Sequence, residues 1–401
     1  MEWTQSERER DKMKEVKRLH KHNALDLHPG MLIRQEHPLN VGAPLELNRH
    51  AFVTPQDCFF VRNHGVVPRV NMHRYRLSLT GRVQVPLALS LDELRNHFPP
   101  STLMATMQCA GHRRDELAVL KPIPEEIPWG AETIGNAVWR GVALREVLLM
   151  ASVEPEVRHV AFLGLDAIHL GGEQMEFGGS IPIEKAMSAE VLLAYEMNGE
   201  PLPPCHGFPL RVLVPGYIGA RSVKWLASIV LQEEPSTNYY QAHAYKLFPP
   251  NIQAESADWT QGKMLGALPL NSVISRPIEG EILKTGPFCI QGYAIARDSH
   301  VIERVEVSSD GGATWADATL LEQPQPWTWC FWEVTLPLDS GKRQLIVRAW
   351  DSAGGTQPPD VRQVWNWKGY VNNAWHRVNV VVHQGSVPES NSSEPTTRFT
   401  R

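Results

Sequence analysis

The chain has 401 residues, too long for one ordinary hydrophobic core, so two domains are the expected arrangement. Its 42% hydrophobic and 21% charged residues describe a globular protein, and the formal charge of −5 leaves no general footprint for nucleic acid. Five cysteines, at 58, 109, 205, 289 and 330, are odd in number and widely spaced without a CxxC pair. That pattern argues against a disulfide framework, a zinc ribbon or a thioredoxin-type site, and fits a reducing compartment.

Residues 1–25 read as a charged arm without the apolar stretch of a secretory or twin-arginine signal. Acidic residues near the start disfavour a mitochondrial presequence, and the C-terminal residues are no peroxisomal address. No run approaches the roughly eighteen apolar residues of a membrane span. The cytoplasm is the expected location. His28-Pro29-Gly30 reads as a turn. Residues 26–255 mix strands and helices. Tyr75 to Leu79 alternates like a strand that Gly81 ends, and Ser90-Leu91-Asp92-Glu93 has the spacing of a capping box before a short helix. A helical face is expected within Val142–Met150, and strands within His159–Leu170 and Pro209–Pro215. This is an α+β pattern rather than a regular βαβ alternation.

Helical signals vanish after about residue 255. Strands are expected at Phe288–Ile295, Ile302–Ser308, Thr314–Leu320, Trp332–Leu336, Gln344–Trp350 and His376–His383, separated by turns such as Asp310-Gly311-Gly312. Short strands at that spacing predict an all-β immunoglobulin-like sandwich over residues 256–385. Residues 386–401, rich in Ser, Thr, Pro and Glu, read as a disordered tail.

Several chemistries lack their motifs. GxGxxG, the P-loop, HExxH, GxSxG and CxxCH are all absent. Instead, strong cations recur beside Gly-rich or aromatic turns: Phe59-Phe60-Val61-Arg62-Asn63-His64, Met107-Gln108-Cys109-Ala110-Gly111-His112-Arg113-Arg114, Trp129-Gly130 leading to Val138-Trp139-Arg140-Gly141, His206-Gly207-Phe208-Pro209-Leu210-Arg211 and Pro215 to Trp225. Taken alone, Cys109 reads in two ways. It is either a buried thiol beside arginines that pair with Asp115 and Glu116, or a thiolate favoured by two guanidinium groups and suited to a metal. Five such segments together point to a large, multiply anionic cofactor held by many donors.

In collinear order from about residue 30 to 385, these segments resemble the sulfite oxidase family of molybdenum enzymes, which includes the molybdenum domain of eukaryotic nitrate reductases. IGNAVWRG at 134–141, LLAYEMNGEPLP at 192–203 and GYIGARSVKWL at 216–226 carry it further, as do VEVSSDGGATW at 305–315 and NAWHRV at 373–378, which resemble the family's dimerisation domain. The resemblance implies an α+β molybdopterin-binding catalytic domain over 26–255, a dimerisation domain over 256–385 and a homodimer. It implies a molybdenum–molybdopterin cofactor with Cys109 as metal ligand, and Asn63, His64, Asp166, His206, Arg211, Arg221, Ser222 and Lys224 around the pterin and its phosphate. Arg62, Arg114, Trp129, Tyr245 and Lys368 match the pocket for the oxyanion. The implied reaction is oxygen-atom transfer to sulfite, with electrons leaving for oxygen, a cytochrome or a partner subunit; no haem or flavin module is expected here. Nitrate reduction at the same centre is the main alternative, and a non-catalytic molybdopterin-binding protein a further one. The chain departs from sulfite oxidases at His112, where Asn is common, at Cys205, where Asp is common, and at Lys368, where Arg is usual. Lysine keeps the charge but loses the fork that holds two oxygens at once.

Overall fold

A computed structural model of the protein describes residues 27–384. The charged arm lies outside these residues, as does the expected tail. The part before residue 255 combines short helices with two five-stranded sheets. In one, Pro100–Gln108 pairs antiparallel with Ile134–Ala143, which pairs with Leu192–Met197; that strand carries both Glu200–Pro201 and Arg211–Leu213. The other runs Leu87–Leu89, Leu77–Gly81, Leu226–Gln232, His159–Leu170, Glu173–Pro182, with a single parallel pairing between Leu77–Gly81 and Leu226–Gln232.

Between the sheets lies the largest apolar cluster, built from the inward alternation of strands such as Leu77, Leu79, Ile229 and Leu231. Helix Leu144–Ala151 adds Leu144, Val147, Leu148 and Ala151, whose i, i+3, i+4, i+7 spacing lines one face. The helix expected within Val142–Met150 thus starts two residues later, because Val142 and Ala143 complete the strand Ile134–Ala143. The capping box forms as its spacing predicts. Ser90 Oγ accepts from Glu93 N at 3.2 Å while Glu93 Oε2 accepts from Ser90 N at 2.8 Å, opening helix Leu91–His97.

From residue 271 onward the chain is sheet-rich, with only a single 3₁₀ turn, Val361–Gln363, among the described residues. A four-stranded sheet ordered Asn271–Arg276, Gly286–Ile295, Trp329–Leu338, Thr319–Leu320 shares an apolar core with a five-stranded one ordered Ile282–Lys284, His376–His383, Gly341–Asp351, Ile302–Ser308, Ala316–Asp317. Val378, Val380 and Val382 all point into that core. The continuous strand expected over Thr314–Leu320 is instead two dipeptide strands that pair with different sheets. Ala318 is the corner where the chain changes sheet, and an alternation pattern carries no signal for such a switch.

No helix among the described residues is long and apolar enough to cross a membrane. The C-terminal part also reaches back over the N-terminal one. Val371 N donates to Ala110 O at 2.7 Å, and Tyr370 Oη donates to Ala244 O at 3.0 Å. The segment 365–373 is therefore laid against the loop that follows Cys109.

Candidate active site

Strand Pro100–Gln108 stays in register with its partner through Gln108 and Ile134, and Cys109 follows directly, its N–H held by Thr133 O at 3.0 Å. The thiol is 6% exposed and accepts from Gly111 N at 3.4 Å. It opens onto a cavity whose wall also carries Arg62, Asn63, His64, Asp166, His206, Arg211, Ser222, Lys224 and Tyr245. Ten of the fourteen residues singled out from the sequence thus share one cavity.

Each is placed by a local feature. Asn40 anchors Asn63 through both side-chain atoms: Oδ1 accepts from Asn63 N at 2.9 Å, and Nδ2 donates to Asn63 O at 3.1 Å. Asp166 sits where the pairing of His159–Leu170 with Glu173–Pro182 slips between Leu163 and Ala167, the kind of bulge that re-aims a side chain. His206 ends the 3₁₀ turn Pro204–His206, and Ser222 and Lys224 follow the turn Gly219–Arg221. Tyr245 ends a π-helical turn over Tyr240–Ala244, and its hydroxyl lies 2.8 Å from His64 Nε2.

The wall is cationic, with Arg62, Arg211 and Lys224 facing one carboxylate, Asp166. Burial, then Arg211, pulls the Lys224 ammonium down to about 7, and burial pulls Arg211 down to about 9. Burial pushes Asp166 up to about 6 against the pull of Lys224. His206, buried beside Lys224 and Arg211, falls to about 3, and His64 is held well below its ordinary value by burial, Arg62 and Lys224. Both imidazoles are neutral. Burial keeps Tyr245 a phenol throughout the neutral range. Asn63 Nδ2 and Asp166 Oδ1 are buried without a hydrogen-bond partner. A site with surplus cations, a spare donor, a spare acceptor and a soft thiol fits a phosphorylated, hydrogen-bonding ring system that brings a metal to Cys109.

Four residues lie elsewhere. Arg221, expected at the cofactor, stands behind the wall: Nε and Nη2 donate to Leu265 O at 3.0 and 2.7 Å, and Nη1 has no partner. Arg114 spreads its guanidinium against Gly111, where a Cβ would come within 2.9 Å of it. It donates to Ile127 O at 2.7 Å, Lys368 O at 3.1 Å and Gly369 O at 3.3 Å. Lys368 Nζ meets Glu126 Oε1 at 2.9 Å, and Trp129 is fully buried with its Nε1 unpaired. Neither arginine that follows Cys109 in sequence is directed at it. Arg113, at φ 63, turns to Glu116 and Asn271. The cations beside the thiol come from distant segments because the chain reverses direction right after the strand.

Two of the departures are buried among structural contacts. His112 bridges Tyr293 Oη at 2.9 Å and Thr133 Oγ1 at 3.3 Å, joining the two parts of the chain. Cys205 is buried, its thiol pushed up to about 11 by that burial, and its carbonyl accepts from Lys224 Nζ at 2.8 Å. Glu126 and Phe177 escaped the sequence reading. Phe177 stacks on His64 at 5.1 Å, and Glu126 sits in a Pro-bounded loop whose charges read as solvated.

The chain matches the oxidoreductase molybdopterin binding domain over residues 64–240 and the Mo-co oxidoreductase dimerisation domain over 263–383. It is 40% identical over 360 residues to sulfite oxidase of Gallus gallus, covering 87% of this chain and 78% of that protein. Inducible nitrate reductase [NADH] 2 of Glycine max is 38% identical over 88% of this chain, which spans 42% of that longer protein. Among solved structures, the sulfane dehydrogenase SoxCD from Paracoccus pantotrophus superposes with a TM-score of 0.72 at 26% identity, over 90% of this chain and 88% of that one. A buried thiol at the end of a sheet strand, a cationic cavity around it and these matches lead to one conclusion: the chain belongs to the sulfite oxidase family of molybdopterin oxidoreductases.

Proposed function

We propose that the cavity holds a molybdenum–molybdopterin cofactor with Cys109 as the protein's metal ligand, and that the chain oxidises sulfite to sulfate there. The observation that carries this reading is the cavity itself, a thiol ringed by Arg62, Arg211 and Lys224 with Asn63 Nδ2 and Asp166 Oδ1 left unpaired. When bound, molybdenum in a soft sulfur ligand set supplies two-electron oxygen-atom transfer. Arg211, Lys224 and Ser222 take the phosphate end, while Asn63, Asp166, His64 and His206 meet the ring edges. Arg221 is assigned to holding its turn from behind rather than to the cofactor. Arg62 and Tyr245 face the oxyanion directly, with Arg114, Trp129 and Lys368 behind them. Tyr245, fixed by His64 and kept protonated, donates to a substrate oxygen, and the cations offer a preformed field for negative charge. Electrons pass to an external acceptor such as oxygen, a cytochrome or a partner subunit.

We further infer a catalytic domain over residues 26–255 and an immunoglobulin-like dimerisation domain over 256–385. The two facing sheets of the latter and the match to the dimerisation domain support this. All five cysteines are unpaired, which supports a reducing compartment such as the cytoplasm.

A second reading has one specific observation in its favour. Lys368, whose charge argues for sulfite, is paired with Glu126, which leaves the pocket closer to one suited to nitrate. The deciding experiment sets purified holoenzyme with sulfite and ferricyanide against nitrate with reduced viologen. Turnover with sulfite, lost in Cys109→Ser together with bound molybdenum, is expected. Turnover only with nitrate overturns the sulfite reading.

A further inference from the structure

Lys368 and Arg114, both outside the cavity wall, come from two parts of the chain, and one carboxylate meets both. Glu126 Oε1 lies 2.9 Å from Lys368 Nζ, and its Oε2 lies 3.4 Å from Arg114 Nη2. The loop that carries it is clasped to the segment after Cys109. Arg113 N donates to Gly130 O at 2.9 Å and Asp115 N to Trp129 O at 3.0 Å, while Arg114 Nη1 holds Ile127 O. Glu125 takes a left-handed φ of 65, a conformation that costs a non-glycine residue energy and persists where the surroundings over-determine it. That conformation immediately precedes Glu126.

The triad sits one aromatic layer from the cavity. Arg114 lies over the Tyr370 ring at 5.2 Å, and Tyr370 stacks on Tyr245, a wall residue, with centroids 5.3 Å apart. Arg114 is fixed by three backbone carbonyls, those of Ile127, Lys368 and Gly369. Lys368 has one anionic partner and a four-carbon stem, with its side chain 23% exposed. A charge held in that way can be shared with an incoming anion, but not without loss while the carboxylate stays.

Resting on the oxyanion-pocket reading above, we propose that Glu126 is a positioning residue that competes with the substrate oxyanion for Lys368 and Arg114, and so sets the charge of the oxyanion the site accepts. The carboxylate lowers the field felt by any anion in the pocket. At fixed geometry that electrostatic term scales with the anion's charge, so a dianion loses about twice the free energy a monoanion does. Glu126 therefore shifts preference away from dianions, and Lys in place of a forked cation accentuates the effect.

The test is calorimetric binding of sulfate and nitrate to the holoenzyme, with sulfite kinetics alongside. In Glu126→Gln, sulfate is expected to bind about tenfold tighter and nitrate only about threefold tighter, the square-root relation that follows from halving the charge. The KM for sulfite should fall by more than kcat changes. Glu126→Asp, which keeps the charge, should remain within about twofold of the parent, and Glu126→Ala, which also removes the charge, should give the same anion ratios should the glutamine variant fail to fold. In a Lys368→Met background, the gain from Glu126→Gln should shrink markedly, because the two side chains act through each other. Equal gains for both anions, no gain for either, or an undiminished gain in the Lys368→Met background overturns the proposal. Binding is read without turnover, so absence of sulfite oxidation would sink the proposed reaction yet leave the anion ratios to decide the role of Glu126.

Discussion

Arg113 takes the partner that the plainer reading of the Cys109 segment gives it, Glu116. It follows the metal-ligand candidate by four positions, yet it is fully buried against Glu116 at 2.6 and 2.7 Å and Asn271 at 2.7 Å. Asn372 closes the group, donating to Arg113 O at 3.0 Å and to Glu116 Oε2 at 3.2 Å. Burial opposes ionisation of Glu116, but the Arg113 charge and its hydrogen bonds win and hold the carboxyl below its ordinary value. Removing one partner of such a pair leaves the other uncompensated. Glu116→Ala, which strands a buried guanidinium, is expected to cost about 3–5 kcal/mol, and Arg113→Met less, since Glu116 is 29% exposed and can take up water. Equal losses in chemical denaturation would refute that asymmetry.

Two histidines beside this group set a pH dependence. His376 Nδ1 accepts from Ile274 N at 3.1 Å, and burial pulls the ring down to about 4 despite Glu116 at 3.8 Å, so the pair is not ionic at neutral pH. Burial, then Arg113, also holds His112 well below its ordinary value. Both folded values lie under the unfolded value of about 6.5, so the unfolded chain takes up protons first as pH falls. Stability is fully present above about 6.5 and is lost below it, at up to about 1.4 kcal/mol per pH unit for each ring. Asp115, raised to about 6 chiefly by burial, works the other way, gaining stability as pH falls from about 6 toward its unfolded value. Asp166, raised to about 6, adds to Asp115, and the lowered His64 and His206 add to the two rings, so four rings outweigh two carboxyls. The thermal midpoint should fall between pH 7 and 5.5, and His376→Gln should flatten the slope. An unchanged slope in that variant would remove His376 from the explanation.

At the scale of elements, local chemistry was legible wherever one segment contained all its partners. The capping box at Ser90 needs only Glu93, and the structure contains it. Ser90→Ala is expected to lower stability by about 1 kcal/mol through loss of the oxygen that accepts from Glu93 N. A thermal midpoint identical to the parent would show that the cap contributes nothing. Strands His159–Leu170, Ile302–Ser308 and His376–His383 were equally readable, since alternation and flanking turns lie within each run. Thr314–Leu320 was not, because its division depends on which sheet accepts each half.

For the whole molecule, the decisive contacts cross between the two parts. His112 meets Tyr293, Trp329 Nε1 donates to Phe52 O at 3.0 Å, and the segment 365–373 meets the stretch after Cys109 where Arg114 Nε donates to Lys368 O and Val371 N to Ala110 O. The proposed homodimer belongs to this scale: light scattering of the holoenzyme at micromolar concentration is expected to give twice the 45.1 kDa chain mass. A monomeric mass under those conditions would refute dimerisation.

The sequence by itself determined most of the segments that gather. Short motifs of cation, glycine and aromatic residues marked four segments that reach the cavity, the thiol at 109 among them, because side-chain chemistry is written locally, whereas Asp166 and Tyr245 stand outside those motifs. Only the tertiary structure decided how their charges are used. Arg113 and Arg114 are bound to partners far along the chain, Arg221 turns behind the wall, and Lys368 is shared with Glu126. Electrostatic energy depends on distance in space rather than along the chain, so a cation's assignment between substrate and carboxylate is fixed only when the fold brings the competitors together.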